Sequence, residues 1–465
     1  MSNNGVSANK AWIVCGLLLL ATMINYMDRL TLNQTISRIM VDFDFQKDFY
    51  GKIEGVFGLA FAFGAITTGL IVDKVSVKFL YPLMVFFWSL SGFMTGLARD
   101  KEELLYCRAA LGFFEAANWP CALVTTQRLL APSKRTMGNS ILQSGAALGA
   151  VITPIIVELC LHSQLPGTLA HLAGWRITFL IVGLIGLLWI LLWSIVTKDI
   201  SLNASDESFA SENSKSSFQA MYEIFSDRRF WVLQFMVLAI NSTWHFLRAW
   251  LPLYLREAHG YTESQVNWFS SGYYLASDGG ALTAGFLTLF LVSKGASVIN
   301  SRKWVYGFFS FFTLLSIPAA FMPSGPLFLV VLIMIGFSTL ALFPSYYSFS
   351  QDLTVKHQGK ITGALGSLNW VGMFVMQISA GYFIQRTENT YFASFISDGF
   401  AIEEARKFAI FISDGFAIEK ARKLAQGQAY TWGIIIAGIP PILALIALHF
   451  FWYEKNKSTQ TPAAT

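Results

Sequence analysis

The stretch Ala11-Trp-Ile-Val-Cys-Gly-Leu-Leu-Leu-Leu-Ala-Thr-Met-Ile-Asn-Tyr26 runs without a charge and ends at the pair Asp28-Arg29. A hydrocarbon core about 30 Å thick needs roughly 20 apolar residues per helix, so this run is long enough to begin a membrane span and too long for a surface strand. One Lys precedes it, and no small-residue cleavage site precedes Asp28, so it reads as a retained span rather than a removable leader. Outward from it the pattern repeats. Apolar runs separated by polar or Gly/Pro punctuation lie near residues 11–32, 50–72, 80–98, 104–128, 136–161, 175–196, 230–256, 264–292, 303–322, 326–349, 360–384 and 428–452. The expected fold is therefore all-α integral membrane, with twelve transmembrane helices. Composition agrees, because 54% of the 465 residues are hydrophobic and only 13% charged, about half the charge of a typical soluble domain.

Two connectors are longer than the rest, 197–228 and 385–427. The first is rich in Ser, Asn, Asp and Glu and divides the chain into a six-helix bundle over 1–196, a linker over 197–228 and a second six-helix bundle over 229–465. The halves look related: Leu111-Gly112-Phe113 precedes Pro120 at the spacing by which Ile335-Gly336-Phe337 precedes Pro344. A second register lays Trp12 over Trp231 and Arg29 over Arg248. Parallel repeats of this kind place a substrate site between the halves at mid-membrane. A different repeat lies at 395–426, where Phe395–Ile410 recurs almost verbatim as Phe411–Gln426. It reads either as a tandem duplication that a surface loop tolerates or as an amphipathic lid over the outer mouth.

The net charge of +5 comes from Lys and Arg scattered over short connectors, not from a basic block, so no nucleic-acid partner is expected. Counted by the positive-inside rule, connectors holding Lys10, Lys78, Arg128, Lys134, Lys198, Arg228, Lys294, Lys356 and Lys455 lie inside, and both termini are expected to be cytoplasmic. Cys15, Cys107, Cys121 and Cys160 sit in apolar runs without a CxxC pair, which excludes a disulfide framework and gives no metal site. No phosphate-binding Gly loop or Ser-His-Asp motif points to an enzyme.

Charges inside apolar spans are the most informative feature, since each costs about 2.5–3.5 kcal/mol at a helix centre on insertion scales. Six stand out: Asp28, Arg29, Arg108, Glu115, Arg248 and Asp278. Three acids against three arginines leave the empty interior neutral. Arg108 and Glu115 are two helical turns apart, about 10 Å along one face, which suits a relay better than a direct pair. Asp28 and Arg29 point about 100° apart, so one can face a cavity while the other meets a neighbouring helix. An arginine grips a carboxylate through two parallel hydrogen bonds. Arg248 is read either as a second anion contact or as the partner of Asp278. Gln143 and Asn369, with Tyr346, Ser348 and Gln351, offer hydroxyl partners, and Trp119, Trp244 or Trp370 a stacking face.

Asn25-Tyr26-Met27-Asp28-Arg29 resembles the signature of the anion:cation symporter family of the major facilitator superfamily. Arg108-x6-Glu115 followed by Asn118-Trp119-Pro120 is similar to the pattern of its hexuronate and galactonate carriers, and Gly69-x3-Asp73-Lys74-x3-Lys78 looks like the superfamily's gating loop motif, with Ser76 where a Gly is usual. The resemblance implies proton-coupling roles for Asp28 and Glu115 and substrate contacts from Tyr26, Arg29 and Arg108. Phe61 replaces the second-helix tyrosine, and Ala146 a glutamine that Gln143 can stand in for one turn earlier. The implied protein is a monomeric proton symporter for a small organic monoanion, a hexuronate or aldonate, in the lipid bilayer of a bacterial inner membrane. It needs no cofactor; sodium is the other candidate coupling ion. The alternatives are an organophosphate:phosphate-type antiporter and a non-transporting membrane sensor.

Overall fold

The computed structural model describes residues 8–72, 75–130, 132–161, 174–200, 202, 217–353, 358–397 and 414–452, which are helical apart from short turns and contain no strand. The first half holds α1 (Ala8–Asp42), α2 (Lys47–Ile71), α3 (Val77–Leu97), α4 (Lys101–Glu115), α5 (Asn118–Leu129), α6 (Pro132–Leu161) and α7 (Trp175–Val196). A short helix, α8 (Ser217–Ser226), leads into α9 (Arg228–Glu257), α10 (Glu263–Ser293), α11 (Val298–Thr313), α12 (Ser316–Ala319), α13 (Pro326–Ala341), α14 (Phe343–Leu353) and α15 (Gln358–Ser397). The chain closes with α16 (Asp414–Ala437) and α17 (Pro440–Phe451).

Nine helical segments among the described residues are each long and apolar enough to cross a membrane. The three other expected traverses are α4–α5, α11–α12 and α15, which completes the twelve. The first of these is interrupted at Ala116–Ala117, not continuous over 104–128, because Pro120 has no N–H to donate back to Ala116 and its ring crowds that carbonyl. Pro344 does the same between α13 and α14. The connector expected from 385 is also shorter than its sequence suggested: α15 continues to Ser397, and the second repeat copy, rich in Ala, Glu, Lys and Arg, enters α16 from Asp414. Most of the first copy lies outside the described residues.

The related motifs of the two halves make related contacts. A Cβ on Gly64 of α2 would run into the carbonyl oxygen of Phe113 on α4, and a Cβ on Gly280 of α10 would run into that of Phe337 on α13. Only glycine permits such backbone approach between helices, and small residues at the seam are how membrane helices pack. Gly112 returns the contact on Phe57, as Gly336 does on Tyr273 and Ser277.

Three large hydrophobic cores among the described residues decide the shape. One draws Leu30, Ile36, Tyr50 and Trp175 from the first half together with Trp250, Tyr254, Phe328 and Tyr430 from the second. The buried residues of the other two do not mix in this way: Val14, Leu18, Trp88 and Trp193 lie in a first-half core, against which Trp370 of the second half packs, and Phe230, Met236, Tyr306 and Leu448 lie in a second-half core. The bundles are thus fused on the side away from residues 8 and 452, here the far side, and hold separate cores on the terminal side.

A buried charge cluster between the two bundles

Arg29 projects from the middle of α1 into a gap lined by aromatic rings. Its Nε and Nη2 donate to Glu115 Oε2 at 3.1 and 2.9 Å, and Nη2 also donates to Asn25 Oδ1 at 3.1 Å. The guanidinium carbon lies 5.4, 5.2, 5.1 and 5.6 Å from the ring centres of Tyr26, Phe57, Phe61 and Trp370. Three of those rings belong to the first half and Trp370 to the second, so the cage spans both bundles. Phe61, the replacement for an expected tyrosine, packs tilted against Trp370 with ring centres 4.6 Å apart.

Glu115 ends α4 at the helix break, and Asn25 Nδ2 donates to its carbonyl at 3.4 Å. The neighbouring acid behaves differently. Asp28 is fully buried against Gly92 of α3, and neither of its carboxyl oxygens has a hydrogen-bond partner among the described residues. Adjacent positions on α1 therefore serve different sites, as their angular separation implied.

A second set of bonds centres on Glu54 of α2. Its Oε2 accepts from Arg248 Nη2 at 2.7 Å, and its Oε1 accepts from Asn33 Nδ2 at 3.1 Å and Arg108 Nη2 at 3.4 Å. Asn33 Oδ1 accepts from Arg248 Nη1 at 3.2 Å, while Tyr50 accepts from Asn33 and donates to the Ala249 carbonyl at 2.9 Å. Arg108, which is 0% exposed, keeps its Nε and Nη1 without a hydrogen-bond partner among the described residues. Phe57 touches both sets, its ring centre lying 5.2 Å from the Arg29 guanidinium carbon and 4.8 Å from that of Arg108.

Glu54 changes two expectations. Arg248 pairs with it and not with Asp278, which forms no ion pair among the described residues and lies on the same face of α10 as Tyr274, one turn away. Glu54 also adds a fourth acid to Asp28, Glu115 and Asp278 against Arg29, Arg108 and Arg248, so the expected balance of three against three does not hold. Glu54 escapes a reading for mid-span charges because it sits near the polar end of its apolar run. Its signal is the one-face spacing Tyr50, Glu54, Phe57, Phe61.

The remaining expected contacts scatter. Asn369, next to Trp370 in the chain, is buried with Oδ1 unpartnered among the described residues. Tyr26 is half-buried, and Gln143 is exposed on α6. Ser348 donates to Pro344 within its own helix, and Trp244 stacks on Tyr273. In the loop motif, Gly69 is exposed, Lys78 donates to the Lys198 carbonyl at 2.6 Å, and Asp73 and Lys74 lie outside the described residues.

On the far side the bundles are tied by charge as well. Lys47, 4% exposed at its side chain, bridges Glu257 at 2.7 Å and also Glu388. Glu263 meets Arg38 at 2.6 Å and Arg256 at 3.0 Å, and Asn267 donates to Glu158 at 2.8 Å. Gly51 and Gly381 touch backbone to backbone. Above this seam lies a cavity of about 610 Å³ whose lining includes Lys47, Glu257, Glu388 and, from the second repeat copy, Arg422 and Gln426.

The family model of the Major Facilitator Superfamily matches residues 18–376. The chain is 23% identical over 400 residues to a probable L-galactonate transporter of Escherichia coli (strain K12), covering 82% of this chain and 84% of that one. It is 23% identical over 348 residues to a galacturonate transporter of Dickeya chrysanthemi, covering 72% and 92%. Among solved structures, a bacterial homolog to the human lysosomal transporter Spinster, inward-facing and unoccupied, superposes with a TM-score of 0.80 at 20% identity over 97% of this chain and 100% of that one.

Proposed function

The chain belongs to the major facilitator superfamily, and from that premise we propose that it imports a sugar-acid monoanion, a hexuronate or aldonate, together with protons. The two bundles rock around the charge cluster in alternating access, with both termini cytoplasmic in a bacterial inner membrane. One observation carries this reading: arginines from both bundles converge in a buried cluster, and each is held by a carboxylate, Arg29 by Glu115 and Arg108 with Arg248 by Glu54. A site that satisfies guanidinium forks with carboxylates is chemically matched to a carboxylate cargo. The sugar-acid class is supported by the relatives, whose cargoes are galactonate and galacturonate.

The residues divide the work. Protonation of Glu115 weakens its grip on Arg29, and the freed Nε and Nη2 then face the cargo carboxylate, so anion and proton arrive together. Asp28, buried without a partner, is the second proton carrier, since a carboxylate in such a place is costly unless neutral. Tyr26, Asn369 and Gln143 contact hydroxyls, and Trp370 gives a sugar face its apolar surface. The loop motif Gly69, Asp73, Lys74 and Lys78 guards the terminal side. The monomer is the working unit and the proton the coupling ion.

Purified protein in liposomes, offered labelled galacturonate, glucuronate and galactonate with an imposed inward proton gradient, tests this reading. Gradient-driven accumulation of one acid supports it. Exchange that requires internal phosphate and ignores the gradient overturns it in favour of an antiporter, and the absence of any flux overturns transport of this class.

A further inference from the structure

Glu54 holds two arginines that belong to different bundles. Arg108 stands on α4 beside it in the first half, whereas Arg248 reaches it from α9 in the second. Asn33 and Tyr50 complete the arrangement, and Tyr50 binds the backbone of α9 directly at Ala249. All of these groups are buried. The pair lies at the boundary of the fused far-side core, so parting the bundles there must break the bond from Arg248 to Glu54 and leaves the Arg108 contact intact.

A guanidinium left alone in such a place is expensive, and breaking a buried pair by removing one partner is strongly destabilising. Arg248 therefore needs a carboxylate whenever the far side is shut. In the empty protein Glu54 supplies it. We propose that Glu54 is an internal ligand that takes the place of the cargo carboxylate on Arg248: the cargo anion displaces it when the far side closes around cargo, and Glu54 displaces the cargo in turn when the load leaves on the terminal side. The role of the cargo anion rests on the sugar-acid reading above; the role of the pair in holding the far side shut does not.

Two measurements separate these parts. With Cys15, Cys107, Cys121 and Cys160 replaced by alanine, spin labels at Glu102 and Thr390, one on each bundle at the far side, report the far-side gap by pulsed electron spin resonance without any ligand. Glu54→Gln is expected to move part of the population to longer distances, and an unchanged distribution overturns the proposal. Should Glu54→Gln not yield folded protein, Arg248→Gln breaks the same pair from the other side and is expected to give the same shift. Calorimetric titration with D-galacturonate is the second measurement: removal of the competing carboxylate is expected to tighten binding roughly tenfold in Glu54→Gln, a coupling of ordinary size for linked sites. Equal or weaker binding in the variant overturns the displacement. Binding of no sugar acid by any form overturns the sugar-acid reading and the displacement with it, and the distances still decide whether Glu54 holds the far side shut.

Discussion

Glu54 and Arg248 stand 194 positions apart in the chain, and carboxylate oxygen and guanidinium nitrogen meet at 2.7 Å in the seam between the bundles. With Lys47–Glu257 and Asn267–Glu158, the pair makes the far-side closure polar as well as apolar. A closure of this kind can open in water, where freed charges are solvated, in a way that a purely apolar seam cannot.

The bond between Arg29 and Glu115 carries a prediction about coupling. Glu115→Gln keeps an oxygen that accepts from Arg29 but cannot take up a proton. Accumulation against a gradient is expected to fall to background, while exchange of labelled for unlabelled acid across the membrane persists. Unimpaired accumulation in this variant removes Glu115 from the coupling pathway.

Matching glycine contacts in the two halves predict matching sensitivities. Gly64→Ala and Gly280→Ala each force a methyl onto a backbone carbonyl, Phe113 or Phe337, and overpacking of this kind costs about 1–3 kcal/mol. Gly285 has nothing within 4 Å of the added atom, so Gly285→Ala is expected to be neutral. Melting temperatures in detergent compare the three directly.

Lys47 stabilises two acids at once. Lys47→Met leaves Glu257 and Glu388 facing each other without their cation, and losing one member of a buried pair costs about 3 kcal/mol or more. The double variant Lys47→Met/Glu388→Gln should recover much of the loss, because it removes the repulsion with the charge. A double variant no more stable than the single one contradicts the arrangement.

His259, in the turn between α9 and α10, stacks on Phe328 at 4.0 Å and meets the Ser324 hydroxyl at 3.1 Å. Burial pulls its pKa down from 6.5 to about 4. Between those values the unfolded chain binds a proton that the folded chain does not, so this turn's contribution to stability is full above pH 6.5 and is lost as pH falls toward 4. The melting temperature of His259→Gln is expected to depend less on pH across that window than that of the unaltered protein.

The traverses were legible because an apolar run of membrane length has few other uses, and their order in two sets of six followed from the polar stretch after Val196. Arg29, Arg108, Glu115 and Arg248 were legible for the same reason: a charge among leucines must have a purpose. Partners were not. Nothing in the spacing of Arg248 and Asp278 excluded their pairing, since the answer depends on which helix of the other half stands opposite, a tertiary fact that local sequence does not encode. Glu54 was hidden by position, four residues into a run whose end looks like any water-facing helix end. The extension of α15 to Ser397 was hidden by its polarity, because a helix that leaves the apolar layer loses the signal used to find it.

The fused far-side core also bears on how the chain is made. Ile36, Tyr50 and Trp175 are synthesised well before Trp250, Tyr254 and Tyr430, with which they share that core. The first bundle must therefore wait in the bilayer with part of its surface unmatched until α9 arrives. Its own core, built from Val14, Trp88 and Trp193, is complete by then and can hold it as a unit. Assembly from two separately made halves becomes feasible on these terms, with the second half supplying the missing surface.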